Sequence, residues 1–122
     1  MNTDIEFREA FKQRLKQFAL RIIKLYQALP KSGEAQVIGN QLLRSATSMA
    51  ANYRAACRAR SGKEFYSKLS IVVEEADETL FWLELLSESE IFAGEKLNPI
   101  TAEALEILKI VAKARKNTIL NP

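Results

Sequence analysis

Apolar residues at helical spacing recur in four long stretches of the chain, and this pattern constrains the fold more than any other feature. The first stretch carries apolar residues at intervals of four and three: Phe11, Leu15, Phe18, Ile22, Leu25 and Leu29. Such intervals place side chains on one face of an α-helix. Pro30 and Gly33 then end the segment, because both residues disfavour continuation of a helix.

The same periodicity in the other stretches predicts four helices, spanning about residues 5–29, 34–60, 62–88 and 99–117. Ser32 is expected to cap the second helix, and Asn98 followed by Pro99 is expected to begin the fourth. Gly94 is expected to act as a breaker in the loop before it. Long amphipathic helices with short connections pack as antiparallel neighbours. The sequence therefore predicts one domain over residues 1–122, folded as an all-α, antiparallel, up-down-up-down four-helix bundle.

Residues 44–64, which link the second and third helices, combine small side chains with a run of bases. The first half is rich in Ser, Thr and Ala, which let two helix backbones approach closely. The second half carries four basic residues: Arg54, Arg58, Arg60 and Lys63. The segment Ser61-Gly62-Lys63-Glu64 matches the S-x-x-E capping box of a helix start. A tight turn is therefore expected close to Ser61.

Charge is distributed unevenly along the chain. Residues 61–90 hold eight acidic and two basic residues, a net charge of −6. The rest holds 16 basic and seven acidic residues, a net charge of +9, so that the whole chain carries +3. Either the acids neutralise neighbouring helices, or the basic surface faces an anionic partner.

Arg44 is expected to form an ion pair with the third helix. In an antiparallel pair, residues equally far from the turn lie at similar heights; Arg44 comes 17 residues before Ser61, and Glu78 comes 17 residues after it. Glu75 lies one turn earlier on the same face. We predict a partly buried structural ion pair of Arg44 with Glu78 or Glu75, a kind of contact that fixes register more than it adds stability.

The acidic run around this pair also has an alternative interpretation. Glu74, Glu75, Asp77 and Glu78 share helix faces at spacings that suit a hard cation or an acid–base pair. No other acid-rich segment supplies facing ligands. Structural ion pairing is therefore favoured, and no metal site is predicted.

The third helix is apolar around most of its circumference near Phe81 and Trp82. A helix that is apolar all round is expected to be buried all round. One face of each helix in an isolated bundle should meet water, so we predict that Phe81 and Trp82 lie in an interface between copies of the chain. The alternative is a partly exposed aromatic pair on the surface of the bundle.

The residue types that are missing exclude several functions. The chain has no histidine, so Ser-His-Asp or Cys-His catalysis and histidine zinc sites are impossible. Its single cysteine, Cys57, cannot form an internal disulfide or an all-thiolate site. No signal-peptide pattern or membrane-length apolar run is present. The sequence predicts a cytoplasmic protein that is not an enzyme, needs no cofactor and does not enter membranes.

Residues 41–54, which read QLLRSATSMAANYR, resemble the central motif of the small bacterial four helix bundle family. That family was first noted as proteins encoded by intervening sequences inside 23S ribosomal RNA genes. Residues 64–85 are similar to its third helix, and the likeness spans about residues 10–115. Many members carry an N-x-x-E-G pattern after the motif, whereas Asn52 is followed here by Tyr53, Arg54, Ala55 and Ala56. No role tied to the missing glutamate is carried over.

The resemblance implies a left-handed bundle that assembles as a ring-like homopentamer. It also relates the chain to the accessory variability determinants of diversity-generating retroelements, which are basic pentamers that bind nucleic acid and a reverse transcriptase. For the ordinary members of the family, the resemblance implies no established biochemical role.

Two functions remain in competition. In the first, an oligomeric protein binds RNA or DNA through its basic surface, with Arg54, Arg58, Arg60 and Lys63 as the leading candidates and little sequence preference. In the second, the bundle is a scaffold for a protein partner, such as a polymerase, and makes no contact with nucleic acid.

Overall fold

Four α-helices and their connecting turns make up residues 3–118, the part of the chain that the computed structural model describes. The helices are α1 (Thr3–Ala28), α2 (Gly33–Ala56), α3 (Gly62–Glu88) and α4 (Gly94–Lys116). With no strand among these residues, the predicted all-α four-helix bundle is confirmed. None of the four described helices combines the length and hydrophobicity needed to cross a bilayer. The ends of the predicted domain, residues 1–2 and 119–122, lie outside the described residues.

Consecutive helices run antiparallel. In successive contacts between two neighbouring helices, the residue number increases on one helix and decreases on the other. The pairs are Phe11 with Tyr53 and Tyr26 with Asn40 between α1 and α2, Ser45 with Thr79 and Ser48 with Glu75 between α2 and α3, and Ser87 with Gly94 and Ser70 with Arg115 between α3 and α4. The left-handed twist stays a prediction.

The core forms where the four apolar faces meet. On α1, four of the six residues of the predicted seam, from Phe11 to Ile22, are at most 3% exposed, and Leu29, just after the helix, is 4% exposed. The other helices contribute their own buried rows: Leu42, Ala46, Met49 and Tyr53 from α2; Leu69, Val72, Ala76, Leu83 and Leu86 from α3; Leu97, Ile100, Ala104, Ile107 and Val111 from α4. Burial of these faces supplies most of the stability of such a bundle, since apolar area removed from water is its main driving force.

Helix α2 ends at Ala56, four residues earlier than the sequence predicted. The chain turns through residues 57–61, with the N–H groups of Arg58 and Ala59 donating to the carbonyls of Ala55 and Ala56 at 3.0 Å. The early end follows from chain geometry, because α3 begins at Gly62 and the chain needs residues between the two helices in which to reverse. No glycine or proline in residues 57–60 marks this end in the sequence.

Helix α4 begins at Gly94, so the predicted start at Asn98 and Pro99 is wrong. Leu97 is only 1% exposed, and it extends the buried row of α4 by one turn toward the N-terminus. Pro99 lies inside the helix, on its exposed side, where it lacks the N–H that would bond to Glu95. Gly94 opens the helix rather than breaking the chain, and a Cβ there would lie 2.8 Å from Ser87 Oγ.

The edge between α1 and α4 is the thinnest contact in the bundle. Arg14 spans it, donating from Nε and Nη2 to the two carboxylate oxygens of Glu103 at 2.7 and 2.8 Å. These hydrogen bonds lower the pKa of Glu103 and raise the pKa of Arg14. Nearby, an open cavity of about 410 Å³ has an apolar floor and a basic rim: Leu25, Phe92, Leu97, Pro99, Ile100, Arg21, Lys24 and Lys96.

Candidate nucleic-acid interface

The four candidate basic residues lie together around the turn between α2 and α3. Arg54 is on the last turn of α2, Arg58 and Arg60 are in the turn itself, and Lys63 is on the first turn of α3. All four are exposed, and the Arg60 side chain is 90% exposed. We call these four residues the basic cluster. Because α2 ends at Ala56, two of the four stand on the turn rather than on the helix end that the sequence predicted.

The turn is held by one of the two bonds of the capping box that the sequence predicted. Ser61 has extended backbone angles, and its hydroxyl oxygen accepts a hydrogen bond from the N–H of Glu64 at 3.0 Å. The Glu64 carboxylate accepts the N–H of Arg60 at 3.3 Å, one residue before the position that a complete capping box uses. This arrangement fixes the backbone that carries Arg60 and Lys63.

Three of the four residues in the basic cluster form no ion pair within the described residues. The Arg60 guanidinium lies 4.0 Å from Glu64, at the limit of an ion pair, while Arg54, Arg58 and Lys63 form no salt bridge with any described residue. An exposed cation without an acidic neighbour is available to an anionic partner, because its charge is not already neutralised.

Other helices bring further basic residues to the same end of the bundle, which the sequence did not link to the cluster. Arg115 of α4 donates to Ser70 at 2.7 Å, and its guanidinium lies 4.6 Å from the centre of the Tyr66 ring. Arg8 of α1 lies 4.3 Å from the centre of the Phe65 ring. The exposed Lys113 and Lys116 also belong to the last turn of α4. Only the assembled fold could reveal this grouping, since the residues are far apart in the chain.

A groove opens at this end, between the start of α1, the α2–α3 turn and the end of α4. We call it the turn-end groove. Its volume is about 640 Å³, and its walls carry three aromatic rings and two arginines: Phe7, Tyr53, Phe65, Arg8 and Arg60. Its remaining lining is mostly small or polar: Asp4, Ala59, Ser61, Gly62, Ala114, Asn117 and Thr118. No motif in the sequence marks this groove.

Arg44, Glu75 and Glu78 are brought together on the surface between α2 and α3. The Arg44 guanidinium donates to both oxygens of Glu75 at 3.3 Å and also to Glu78. The Arg44 side chain is 47% exposed and Glu75 is 15% exposed, so the pair is partly buried, mainly through Glu75. Hydrogen bonds from Trp82 and from Arg44 lower the pKa of Glu78.

A row of hydrogen bonds continues this contact into the interior. Ser48 donates to Glu75 at 2.8 Å. Thr79 donates to Ser45 at 2.9 Å, and Ser45 in turn donates to the Leu42 carbonyl at 3.2 Å. Ser45 and Thr79 are at most 1% exposed, so each needs such a partner. We call Arg44, Ser45, Ser48, Glu75, Glu78 and Thr79 the polar seam.

The two carboxylates outside the polar seam point elsewhere. Glu74 and Asp77 are exposed on the outer face of α3, while Glu75 and Glu78 are held by Arg44. Among the described residues, no group of three or more Cys, Asp or Glu has the geometry to hold a metal ion. Cys57 lies half-buried near the turn, and burial raises the pKa of its thiol.

Phe81 and Trp82 form an edge-to-face pair with ring centres 5.0 Å apart. Phe81 is 48% exposed, and the indole N–H of Trp82 donates to Glu78 at 2.9 Å. The pair therefore lies on the outer surface of the chain beside the polar seam. The interface that the sequence assigns to these residues stays a prediction.

Comparison with known proteins supports this description of the fold. A model of the 23S rRNA-intervening sequence protein family matches residues 10–113. A crystal structure of a protein of unknown function, from the S23 ribosomal protein family of Bacteroides thetaiotaomicron, is 37% identical in sequence. It superimposes with a TM-score of 0.82, over 90% of this chain and 98% of that one. Comparison with curated proteins gave no match.

Proposed function

The chain belongs to the 23S rRNA-intervening sequence protein family, and we propose that it is a non-enzymatic, homo-oligomeric cytoplasmic protein that binds nucleic acid at the turn end of its bundle. The observation that carries this proposal is the basic cluster, in which Arg54, Arg58, Arg60 and Lys63 are all exposed within one turn and its flanks. Phosphate groups are the partners that such a surface attracts, and contacts of this kind release counterions and weaken with salt.

The opposite charge on another face supports a defined orientation of the nucleic acid. No lysine or arginine lies between residues 69 and 93. The outer face of α3 in this range carries four exposed carboxylates: Glu74, Asp77, Glu84 and Glu88. A polyanion is repelled by this face and attracted to the turn end, since fields from separated charges of opposite sign steer association. The phosphate backbone alone gives little sequence preference, so the main contribution of the cluster is affinity.

The proposal is tested by neutralising the cluster. The variant Arg54→Ala/Arg58→Ala/Arg60→Ala/Lys63→Ala is compared with Lys16→Ala/Arg21→Ala/Lys24→Ala/Lys31→Ala, which removes the same charge from exposed positions elsewhere. Fluorescence anisotropy with structured RNA and with duplex DNA is recorded from low to moderate salt. The cluster variant should bind at least tenfold more weakly and show a shallower dependence on salt, by about 0.9 for each DNA phosphate that it no longer neutralises.

The matched control decides what a loss of affinity means. Equal weakening in both variants would show that only net charge matters and would refute a site at the turn end. No binding by the unmodified protein at low salt would refute the nucleic-acid function altogether. Circular dichroism verifies that both variants remain helical.

Self-association is the second part of the proposal, with five copies as the number that the family resemblance implies. It is supported by apolar side chains exposed on faces of opposite charge. Phe81 and Ile71, 48% and 37% exposed, lie on the acidic face of α3. Leu20, 45% exposed, lies on α1 near Lys16 and Arg21. Faces that are complementary but different form head-to-tail contacts, and these give a ring when the rotation between successive copies closes.

Light scattering coupled to gel filtration tests this part. The unmodified chain should elute as an oligomer, and Phe81→Glu should shift it toward the monomer. A monomer at micromolar concentration in the unmodified chain would refute self-association. The exposed Phe81 also favours the scaffold alternative, in which this face binds another protein; an oligomer unaffected by Phe81→Glu, together with no nucleic-acid binding, would support that alternative.

A further inference from the structure

We propose that the turn-end groove holds an unpaired base of a single-stranded nucleic acid, with Phe7 as the stacking surface and the basic cluster on the flanking phosphates. The inference rests on the proposed function and adds the form of nucleic acid that the protein prefers. The starting observation is that aromatic rings and basic groups, which the sequence keeps apart, meet in one open groove.

Phe7 has the properties of a stacking platform. It lines the groove and is 51% exposed. Its ring is nearly parallel to that of Phe11, at 8° and 5.7 Å between centres, and Phe11 packs edge-on against the buried Tyr53. One side of the Phe7 ring is therefore fixed by the core while the rest is open to solvent. A ring fixed in this way loses little conformational freedom when a base stacks on it.

The groove also offers groups that bind bases and phosphates. The Arg8 guanidinium lies over the Phe65 ring at 4.3 Å, so its plane is positioned next to the groove. Arginine planes and aromatic rings are the two surfaces on which proteins stack unpaired bases. Arg60, 90% exposed, stands at the rim and joins the groove to the basic cluster.

Asp4 and Asn117 favour a base rather than a phosphate inside the groove. Asp4 is an exposed carboxylate that would repel a phosphate but can accept a hydrogen bond from an exocyclic amine. Asn117 supplies both a donor and an acceptor on the far wall. The groove, at about 640 Å³, lies within the ~300–1,000 Å³ typical of small-ligand sites. Phosphates are expected at Arg58, Arg60 and Lys63, outside it.

A duplex cannot use this groove, because its bases are already stacked on one another. The protein should therefore prefer single strands, loops or ends over duplex of equal length. The same chemistry occurs in RNA and in DNA, which differ here only by the 2′-hydroxyl group.

The test uses four labelled 12-nucleotide probes: an adenine strand and an all-abasic strand, each as RNA and as DNA. The abasic strands keep the phosphates and remove the bases. Anisotropy should show the unmodified protein binding the adenine strand about tenfold more tightly than its abasic counterpart, in the range that base–aromatic stacking supplies. Equal preference in the RNA and DNA pairs supports stacking alone, and a larger preference in RNA supports an added contact to the 2′-hydroxyl.

Three variants locate the effect. Phe7→Ala should lose the preference for bases while still binding the abasic strand as before, and Phe7→Tyr should retain it. Ile5→Ala is the control, because Ile5 is 61% exposed on the same helix end but does not line the groove. Urea denaturation verifies that each variant is folded.

The outcomes separate this inference from the function on which it rests. Equal affinity of the unmodified protein for adenine and abasic strands would overturn the inference and leave phosphate binding intact. A base preference that survives Phe7→Ala would also overturn it. Failure of every probe to bind at low salt would overturn the inference together with the proposed function.

Discussion

The α2–α3 contact and the α1–α4 contact close the same bundle by different means. Between α2 and α3, the polar seam runs from the exposed Arg44 to Ser45, which is fully buried. Between α1 and α4, the ion pair of Arg14 with Glu103 stands beside an open cavity. One contact is close and specific in register, and the other is thin.

Chain connectivity accounts for much of this difference. A five-residue turn, residues 57–61, joins α2 to α3, so their pairing closes a short loop. Arg14 and Glu103 are 89 residues apart, and their pairing depends on all four helices being in place. The entropy of loop closure grows with separation. The α1–α2 and α3–α4 pairs also close short loops, through residues 29–32 and 89–93, so the α1–α4 contact is the one that depends on the other pairings.

The largest effect is expected from replacing Ser45 in the polar seam. Ser45→Leu should lower the free energy of unfolding by about 3 kcal/mol, because the longer side chain overpacks a buried contact. Thr79 keeps its hydrogen bond to the Glu75 carbonyl at 2.8 Å, so the loss comes from packing. Ser45→Ala, which keeps the size, should cost only about 1 kcal/mol. Urea denaturation measures both. A Ser45→Leu variant as stable as the unmodified protein would contradict the close contact that defines α2–α3.

For the interhelical arginines the order is reversed: replacing Arg14, at the thin α1–α4 contact, should cost more stability than replacing Arg44, at the close α2–α3 contact. Arg14→Gln should cost about 1–2 kcal/mol, since it removes both hydrogen bonds that the described structure gives to the Glu103 carboxylate. Arg44→Gln should cost less than about 1 kcal/mol, because Arg44 is 47% exposed and Glu78 keeps its bond from Trp82. Denaturant titrations measure the free energy of unfolding of the two variants. A larger loss in Arg44→Gln than in Arg14→Gln would contradict this prediction.

The N-caps of α3 and α4 are expected to differ by a smaller amount in their contribution to stability. Ser61→Ala should destabilise the α2–α3 hairpin by about 1 kcal/mol, since the hydroxyl accepts the N–H of Glu64. Ala93, at the start of α4, has extended backbone angles and no cap hydrogen bond. Ala93→Ser should therefore stabilise the protein by up to about 1 kcal/mol. Thermal melts of the two variants test this prediction. It would be contradicted if Ser61→Ala caused no loss of stability and Ala93→Ser caused no gain.

The smallest effect is expected from pH. The pKa of Glu103 is lowered below 4.5 by its hydrogen bonds with Arg14, so the folded state holds fewer protons on this group than the unfolded state. The resulting stabilisation is present above pH 4.5 and is lost as the pH falls through the folded pKa. The melting temperature should fall below pH 4.5, and Arg14→Gln should flatten part of this fall. An identical pH profile in the variant would contradict it.

The sequence predicted what depends on one helix or one hairpin. The seams of α1 and α3 follow from spacing, and the position of Arg44 opposite Glu78 follows from counting outward from Ser61. Features set by the whole bundle were missed. Leu97 continues the row of α4, but the local signal of Asn98 and Pro99 outweighed it, because a proline more often begins a helix than sits inside one.

The candidate site shows the same division. The basic cluster lies within ten residues of the sequence and was found. The turn-end groove needs the start of α1 and the end of α4 to meet beside the α2–α3 turn, so it was missed. The ion pair of Arg14 with Glu103 was likewise missed. Their helices are not joined by a single turn, so their positions along the bundle could not be matched by counting residues outward from it.

Trp82 gives the protein an optical signal of its own. It is the single tryptophan, and its indole group is bonded to Glu78 within the α2–α3 contact. It stands 20 residues along α3 from Gly62, or about 30 Å from the turn at the helical rise per residue. Its emission therefore reports on opening of the hairpin and is remote from a strand bound at the groove. Tryptophan emission and the anisotropy of a labelled strand can accordingly be recorded on one sample as independent readouts of folding and binding.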